Sequence, residues 1–310
     1  MEPQFGQNKR SNESTVSLPG QRKASSWSPA RPTNCRAAVW ELPGRYPKVL
    51  EHETAGVEAK KVIDDANALL DEWCSSNVIT ANAVFSLFPV RRQGDDVHVI
   101  DPDSGTHPFT FHMLRQQVQR PAGKHSLSLA DFIADDSEDY MGCFAVSVGK
   151  ELDALVAQAQ SEGDDYSAIM MKAVADRLAE AFAEHLHERV RTEFWGYAKQ
   201  ESWTNEELIA ERYAGVRPAP GYPACPDHTE KDTIFKLLDA EKAIGVQLTE
   251  SFAMHPASSV SGWYFGHPES RYFGLGRIAQ DQVKDYAQRK GLSLAVMEKW
   301  LAPSLGYEPA

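Results

Sequence analysis

The sequence predicts an α+β fold built on a largely antiparallel sheet. Apolar residues recur at helical spacing in several long segments, and other segments are continuously apolar in the manner of buried strands. The two kinds of segment do not alternate regularly, as a doubly wound parallel sheet would require. With 310 residues, 42% of them hydrophobic and 25% charged, the chain can bury a substantial core.

The N-terminal segment differs in character from the rest of the chain. Residues 1–50 carry a net charge of +5, whereas residues 51–310 carry −17. The first 36 residues are rich in Ser, Asn, Gln, Pro and Arg, and such a segment buries too little apolar surface to offset its ordering entropy. We therefore expect residues 1–37 to form a disordered or unrelated tail and residues 38–308 to form one domain. The tail lacks the apolar stretch of a secretory signal and only weakly resembles a transit peptide, so the cytoplasm is the expected compartment.

The first half of the domain is predicted to contain two helices and three strands. Apolar residues at three-and-four spacing predict a helix over 51–74. Residues 83–90 and 97–101 are predicted to form a β-hairpin with a longer loop. Residues 126–134 have short helical character, and the small and β-branched residues of 141–149 predict a buried strand.

The second half is predicted to be mainly helical. Its strongest helix is predicted over 165–193, with a cap at Asp164 or Asp165. A capping box begins a helix over 203–213, and a further helix is predicted over 230–244, ended by a glycine. The remaining predicted elements are two aromatic strands within 260–278, on either side of a turn, and two short helices, 281–290 and 293–301.

Composition and motifs exclude several classes of function. The net charge of −12 argues against a nucleic-acid-binding protein, and no apolar run is long enough to span a membrane. The four cysteines include no C-x-x-C pair, and no His pair has ligand spacing, so no metal site is expected. Residues 274–279, GLGRIA, match the G-x-G-x-x-A pattern of dinucleotide sites, which leaves a nicotinamide oxidoreductase as an alternative. However, no second strand follows to complete a βαβ unit.

The most unusual segment is RPAPGYPACPDH, residues 217–228. Its prolines hold the backbone extended, and Gly221 would allow a ligand to approach the main chain. Arg217 offers a planar fork for a carboxylate, and Tyr222 offers a flat face with a hydroxyl group. Composition alone favours a polyproline-like linker between two helices. The ligand-binding interpretation therefore depends on the segments that surround it.

Several blocks of this chain, in the same order, resemble the C-terminal activation domain of cobalamin-dependent methionine synthase. They are LPGRYPKVLEHETAGVEAKK, SLSLADFIADDSEDYMGCFAVSVG, ADRLAEAFAEHLHERVR, RPAPGYPACPDHTEK, LTESFAMHPASSVSGWYFGHPESRYF, DQVKDYAQRKG and WLAPSLGYEP. The resemblance runs from about Val39 to Tyr307. It implies a single C-shaped α+β domain with a twisted, largely antiparallel sheet and flanking helices, in agreement with the fold class predicted above.

The resemblance also implies a function. Such a domain binds S-adenosylmethionine and supports reductive methylation of cob(II)alamin to methylcobalamin in methionine biosynthesis, with flavodoxin or a flavoprotein reductase as electron donor. The cobalamin would belong to the cobalamin-binding domain of methionine synthase or to a separate protein, because this chain lacks the Asp-x-His-x-x-Gly motif of that domain. It also lacks the homocysteine and folate modules. The chain is therefore expected to act as one domain of a methyltransferase and not to complete the reaction alone.

The resemblance further implies a set of ligand-binding residues. They are Glu180, Arg217, Ala219, Gly221, Tyr222, Tyr272 and Phe273. Arg217 would pair with the carboxylate of the methionine moiety, and Glu180 would lie near the cationic part, with Glu211 as a weaker second acid. The backbone at the alanine and glycine would contact the ligand, Tyr222 would face the cobalamin, and the Tyr–Phe pair would close the other flank.

One block of the family is missing from this chain. The family carries an Asp-Trp-x-Pro-Phe-Phe block shortly before the tryptophan that matches Trp40, and its aspartate contacts the ligand. Residues 32–40 instead read PTNCRAAVW. Loss of a carboxylate opposite a cation would weaken binding by about 1–3 kcal/mol. The alternative is therefore a truncated, non-catalytic fragment that keeps the fold but has lost ligand binding.

Overall fold

The α+β class with an antiparallel sheet is confirmed by the computed structural model, which describes residues 14–17 and 48–309 apart from residues 119, 122 and 136. In these residues the strands are β1 (Ser14–Ser17), β2 (Ala81–Gln93), β3 (Asp96–Val99), β4 (Phe109–His112), β5 (Asp139–Val148), β6 (Gln247–Leu248), β7 (Met254–His255) and β8 (Ser259–Tyr264). The helices are α1 (Gly56–Ser76), α2 (Leu152–Ser161), α3 (Asp165–Arg189), α4 (Asn205–Ile209), α5 (Glu230–Leu238), α6 (Ala240–Ile244), α7 (Gln280–Lys290) and α8 (Leu294–Leu301).

The main sheet has the strand order β4-β3-β2-β5-β8, and each neighbouring pair is antiparallel. The longest pairing joins β2 to β5, from Ala81 opposite Val148 to Val90 opposite Asp139. The predicted hairpin of β2 and β3 is present, but its strands pair up to Gln93 opposite Asp96. Its loop is therefore shorter than predicted, because the polar residues at the end of β2 continue the ladder.

Helices cover both faces of the sheet, and β5 lies in the middle of the core. Met141 and Cys143 of β5 pack in a cluster with Ile234 of α5. Phe144, which points to the opposite face, packs in a second cluster with Phe182 of α3. Side chains alternate across a strand, so burial on both faces explains why the sequence of β5 is continuously apolar from Met141 to Val146.

The strongest predicted helix is confirmed as α3, and its cap is Asp164, whose side chain accepts a hydrogen bond from the Ser167 N–H at 2.9 Å. The helix predicted over 230–244 differs, because Asp239 adopts a left-handed conformation with φ of 46° and divides it into α5 and α6. The helix predicted over 203–213 has its capping box but is only five residues long, as α4.

One prediction concerning strands needs correction. The first aromatic strand of 260–278 is β8, but residues 265–279 contain no strand, so the second was wrong. The predicted tail, residues 1–37, lies outside the described residues except for β1. That strand pairs with β2, and the expected tail otherwise stays a prediction. The departing block at 32–40 also lies outside the described residues.

The last two helices are confirmed close to their predicted bounds, as α7 and α8. Tyr286, Met297 and Leu301 of these helices form a small core with buried residues outside them, such as Leu114 and Leu275. No helix in the described residues is long and apolar enough to cross a membrane.

Candidate functional site

A cleft of about 520 Å³ lies where α3, the Pro-rich segment and the chain after β8 meet. Its lining residues are Glu180, Ala183, Glu211, Tyr213, Arg217, Pro218, Ala219, Tyr222, Pro223, Ala224, Val260, Tyr272, Phe273 and Gly274. The structure thus brings together six of the seven residues predicted for the ligand. The seventh, Gly221, lines a neighbouring groove of about 440 Å³ that shares Tyr222 and Pro223 with the cleft.

The Pro-rich wall of the cleft, residues 217–226, is called the strap below. Its N-terminal end is attached to the free edge of the sheet. Val216 and Phe265 exchange two backbone hydrogen bonds of 3.0 Å, and the Trp263 N–H donates to the Pro218 carbonyl at 2.9 Å. Proline has no N–H to contribute to a ladder, and an edge position does not require one. The strap is therefore positioned by the rigid sheet.

Close contact between the strap and β8 depends on a glycine that the sequence analysis missed. A Cβ atom at Gly262 would lie 2.4 Å from the Pro218 carbonyl oxygen and 3.3 Å from the Cα of Ala219. Both distances are shorter than ordinary van der Waals contact. The sequence signal was a glycine inside an aromatic strand, which indicates close approach of another backbone segment.

The middle of the strap forms a compact turn. The Gly221 N–H donates to the Cys225 carbonyl at 2.7 Å, and the Cys225 N–H donates to the Tyr222 carbonyl at 2.9 Å. Gly221 has φ of +91°, and a Cβ atom there would lie 2.3 Å from the His228 ring. The glycine was predicted to allow a ligand to approach, but the turn and the packing of His228 already require it.

Arg217 lies at the inner end of the cleft. Its Nη1 atom is 2.9 Å from Oε2 of Glu184, and their side chains are 12% and 8% exposed. Its backbone N–H donates to the Tyr272 hydroxyl oxygen at 3.1 Å. Burial favours the neutral form, but Glu184 and the nearby Tyr272, Tyr213 and Tyr264 together outweigh it and hold the pKa of Arg217 above its ordinary value. The guanidinium is therefore a largely buried cation, as recognition of an anionic group requires.

The segment after β8 forms the opposite wall. Instead of pairing with β8, its backbone bonds to the strap and to Gln116: the Leu275 N–H donates to the Pro223 carbonyl at 2.9 Å, and Gln116 Nε2 donates to the Gly274 carbonyl at 2.7 Å. The edge of β8 is already used by residues 216–218, which explains why the predicted second aromatic strand does not form. Phe273 packs edge-on against Phe132, with ring centroids 6.2 Å apart.

Two carboxylates give one side of the cleft an acidic character. Glu180 projects from α3 and is half-buried, with an ion pair of 3.6 Å to Arg177 on the same helix. Glu211 lies on the loop that leads to the strap. Anionic side chains at this side and the guanidinium at the inner end can together hold a ligand that carries separate positive and negative charges.

Aromatic rings and a buried histidine form the support beneath Arg217. The His187 ring stacks on Tyr264 with centroids 5.1 Å apart, and it meets Tyr213 edge-on at 5.3 Å. Burial, with the nearby charges of Arg191 and Arg217, lowers the pKa of His187 well below its ordinary value. The imidazole is therefore neutral at pH 7.

The C-terminal end of the strap is held by a buried polar group that sequence analysis also missed. This anchor cluster consists of Asp227, Thr229, Glu230, Tyr286 and Lys290. Lys290 Nζ donates to Asp227 Oδ2 at 2.7 Å and to Glu230 Oε1 at 2.5 Å. Asp227 and Glu230 are 0% and 2% exposed. The cluster ties the end of the strap to α7, which contributes both Tyr286 and Lys290.

The other candidate chemistry finds no support in this geometry. The glycines of 274–279 follow an irregular segment and not a strand, so the strand–turn–helix context of a dinucleotide motif is missing there. Among the described residues, no three His, Cys, Asp or Glu side chains are grouped to hold a metal ion.

Comparison with known proteins points to one family. Residues 34–291 match the family described as vitamin B12 dependent methionine synthase, activation domain. A solved structure described as the MetH reactivation domain bound to AdoHcy superposes with a TM-score of 0.88 and 49% sequence identity. The alignment covers 97% of this chain and 92% of that one.

Proposed function

The chain belongs to the activation-domain family of vitamin B12-dependent methionine synthase, and from this premise we propose that its cleft binds S-adenosylmethionine. We propose further that the domain supports the reductive methylation of cob(II)alamin to methylcobalamin. S-adenosylmethionine supplies the methyl group, the cobalamin is carried by another domain or protein, and flavodoxin or a flavoprotein reductase supplies the electron. The structural relative bound to AdoHcy, the demethylated product, supports this proposal.

The observation that carries the proposal is the charge arrangement of the cleft. A buried cation, Arg217, lies at one end, and Glu180 and Glu211 lie along one side. The methionine end of the ligand carries a carboxylate, an ammonium and a sulfonium group. We propose that Arg217 binds the carboxylate, because a guanidinium can form two parallel hydrogen bonds to it. We propose that Glu180, supported by Glu211, lies near the cationic groups.

The rims of the cleft have separate roles in the proposal. The extended backbone at Ala219 and the neighbouring Gly221 would lie along the ligand, and Tyr272 with Phe273 would close the opposite flank. Tyr222 is 57% exposed and stands at the open rim. A large exposed aromatic side chain at the mouth of a cleft suits contact with the flat face of the cobalamin partner.

Calorimetric titration of the purified chain with S-adenosylmethionine and AdoHcy tests the proposal. We expect saturable binding that Arg217→Ala weakens at least about tenfold, because a charge-assisted pair contributes roughly 1.5–3 kcal/mol. Arg212→Ala is the matched control, since its side chain is 63% exposed and pairs with Glu207 outside the cleft. Thermal unfolding of each variant checks that the fold is retained. A folded wild-type chain that bound neither ligand would refute the proposal and favour the fragment that has lost its ligand.

A further inference from the structure

Glu184 forms an ion pair with Arg217, and its position on α3 shows from which side it does so. It follows Glu180 by one helical turn on α3, so the two carboxylates share a face of that helix. Their exposures differ, because the Glu180 side chain is 42% exposed and lines the cleft, whereas the Glu184 side chain is 8% exposed and does not line it. Glu184 thus contacts the guanidinium from behind.

The backbone of Arg217 is fixed independently of its side chain. The Arg217 N–H is held by the Tyr272 hydroxyl, and the next residue, Pro218, is held by the Trp263 N–H. These bonds leave the direction of the long side chain undetermined. The 2.9 Å contact between Nη1 and Glu184 supplies that direction.

The same contact leaves hydrogen-bonding capacity on the guanidinium. Although Nη1 of Arg217 is close to Glu184, it is buried and makes no aligned hydrogen bond within the described part of the chain. A guanidinium has five N–H donors in a rigid fork. A carboxylate that enters from the cleft can therefore bind Arg217 without displacing Glu184.

From this geometry we infer that Glu184 is the positioning residue for Arg217 and that, through Arg217, it determines the preference of the cleft for ligands that carry an α-carboxylate. The inference rests on the proposed function, because it concerns the same cleft. Glu184 holds the guanidinium turned towards the ligand, so that no binding energy is spent on orienting a flexible side chain.

Two ligands that differ only in the amino-acid portion separate positioning from general support of the fold. AdoHcy carries the α-carboxylate, whereas 5′-methylthioadenosine keeps the nucleoside and the thioether but lacks the amino-acid group. In Glu184→Gln we expect AdoHcy to bind at least about tenfold more weakly and methylthioadenosine to bind within about twofold of wild type. Glu188→Gln, one turn further along α3 and 52% exposed, is the matched control and should change neither affinity.

A second variant keeps the inference testable if Glu184→Gln does not fold. Glu184→Asp retains the charge but shortens the side chain by one methylene. It should therefore weaken the binding of AdoHcy by at least about threefold and leave the binding of methylthioadenosine unchanged. Unchanged or tighter AdoHcy binding in the variants would overturn the inference, since Glu184 would then be neutral or a competitor for Arg217. An equal loss for both ligands would also overturn it, because that result indicates a merely structural role. Absence of AdoHcy binding in the wild-type chain is a separate result and refutes the proposed function itself.

Discussion

Replacement of Lys290 by methionine would remove the cation of the anchor cluster and keep a side chain of similar length. Lys290 Nζ donates to Asp227 at 2.7 Å, to Thr229 at 2.8 Å and to Glu230 at 2.5 Å. Its own side chain is 10% exposed, and the two carboxylates are 0% and 2% exposed. Water therefore cannot easily take the place of the lost ammonium group.

The expected cost at pH 8 is about 3–5 kcal/mol of the free energy of unfolding, the usual effect of removing one partner from a buried ion pair. The two carboxylates share this cost unequally. Asp227 keeps three donors, namely the N–H and hydroxyl of Thr229 and the hydroxyl of Tyr286, at 2.8, 2.8 and 2.9 Å. Glu230 keeps only a long hydrogen bond of 3.4 Å from the His112 N–H, because the single proton of the Tyr286 hydroxyl, also 3.4 Å away, is donated to Asp227. Most of the lost free energy therefore comes from Glu230, which is left with the poorer hydrogen bonding.

The cost should depend on pH, with a sign that the structure determines. Burial already raises the pKa of Glu230 above its ordinary value, although the charge of Lys290 opposes this. Without Lys290 the folded-state pKa would rise further, while the unfolded-state pKa stays near its ordinary value. The folded variant therefore takes up a proton as the pH falls, and the unfolded chain does not. The stability deficit should shrink between pH 8 and about pH 5.5.

Urea-induced unfolding of wild type and Lys290→Met at both pH values measures the deficit. Lys236→Met is the matched control, because Lys236 is 61% exposed and its pair with Asp232 on the same helix should contribute less than about 1 kcal/mol. A deficit below about 1 kcal/mol for Lys290→Met would refute the assignment of a tightly coupled buried cluster. An equal deficit at both pH values would refute the assignment of the loss to Glu230.

Two further predictions concern the support of the cleft. Gly262→Ala would place a Cβ atom 2.4 Å from the Pro218 carbonyl oxygen, so calorimetry and thermal unfolding should show weaker AdoHcy binding and a loss of about 1–3 kcal/mol. Gly274→Ala, whose Cβ atom would have Pro223 as its nearest neighbour, at 3.6 Å, should leave the free energy of unfolding unchanged. Because Gly274 lines the cleft, this variant is a control for stability only. Burial lowers the pKa of His187, so part of the stability is lost as the pH falls below about 6.5. Between pH 7.5 and pH 5.5, the free energy of unfolding measured with urea should therefore fall less for His187→Phe than for wild type. Identical pH slopes for the two proteins would contradict this prediction.

The elements that the sequence predicted correctly are those determined by residues within the element or next to it. The cap of α3 is visible as Asp164 before an apolar stripe, and β5 is visible as a run of small and β-branched residues. The break of the predicted 230–244 helix was not visible, because Asp239 is an ordinary helix-surface residue until its left-handed conformation is seen. The second aromatic strand was predicted wrongly, because residues 271–278 have strand-like composition but the edge they would need is occupied by residues 216–218.

In the candidate site too, some residues could be predicted from the sequence and others could not. Arg217 and Tyr222 stand out in an unusual Pro-rich segment, and the family resemblance added Glu180 and the Tyr–Phe pair. Glu184 was missed because its periodicity is that of any buried helix residue, and its charge acquires meaning only beside Arg217. The anchor cluster was missed for a similar reason, since Lys290 meets Asp227 across 63 positions of sequence.

The strap is restrained at both ends, and this has a consequence for ligand binding. Its first residues are bonded to the sheet edge at β8, its middle is closed by the turn from Gly221 to Cys225, and its last residues lead directly into the anchor cluster. A Pro-rich segment also loses little backbone entropy when it is ordered. A ligand that enters the cleft therefore meets a wall that is already in place, and its binding energy is not spent on folding a loop. Gly262→Ala disturbs the contacts of the N-terminal end of the strap, and Lys290→Met removes contacts of the residues that follow its C-terminal end. Each should therefore weaken the binding of AdoHcy, even though neither Lys290 nor Gly262 lines the cleft.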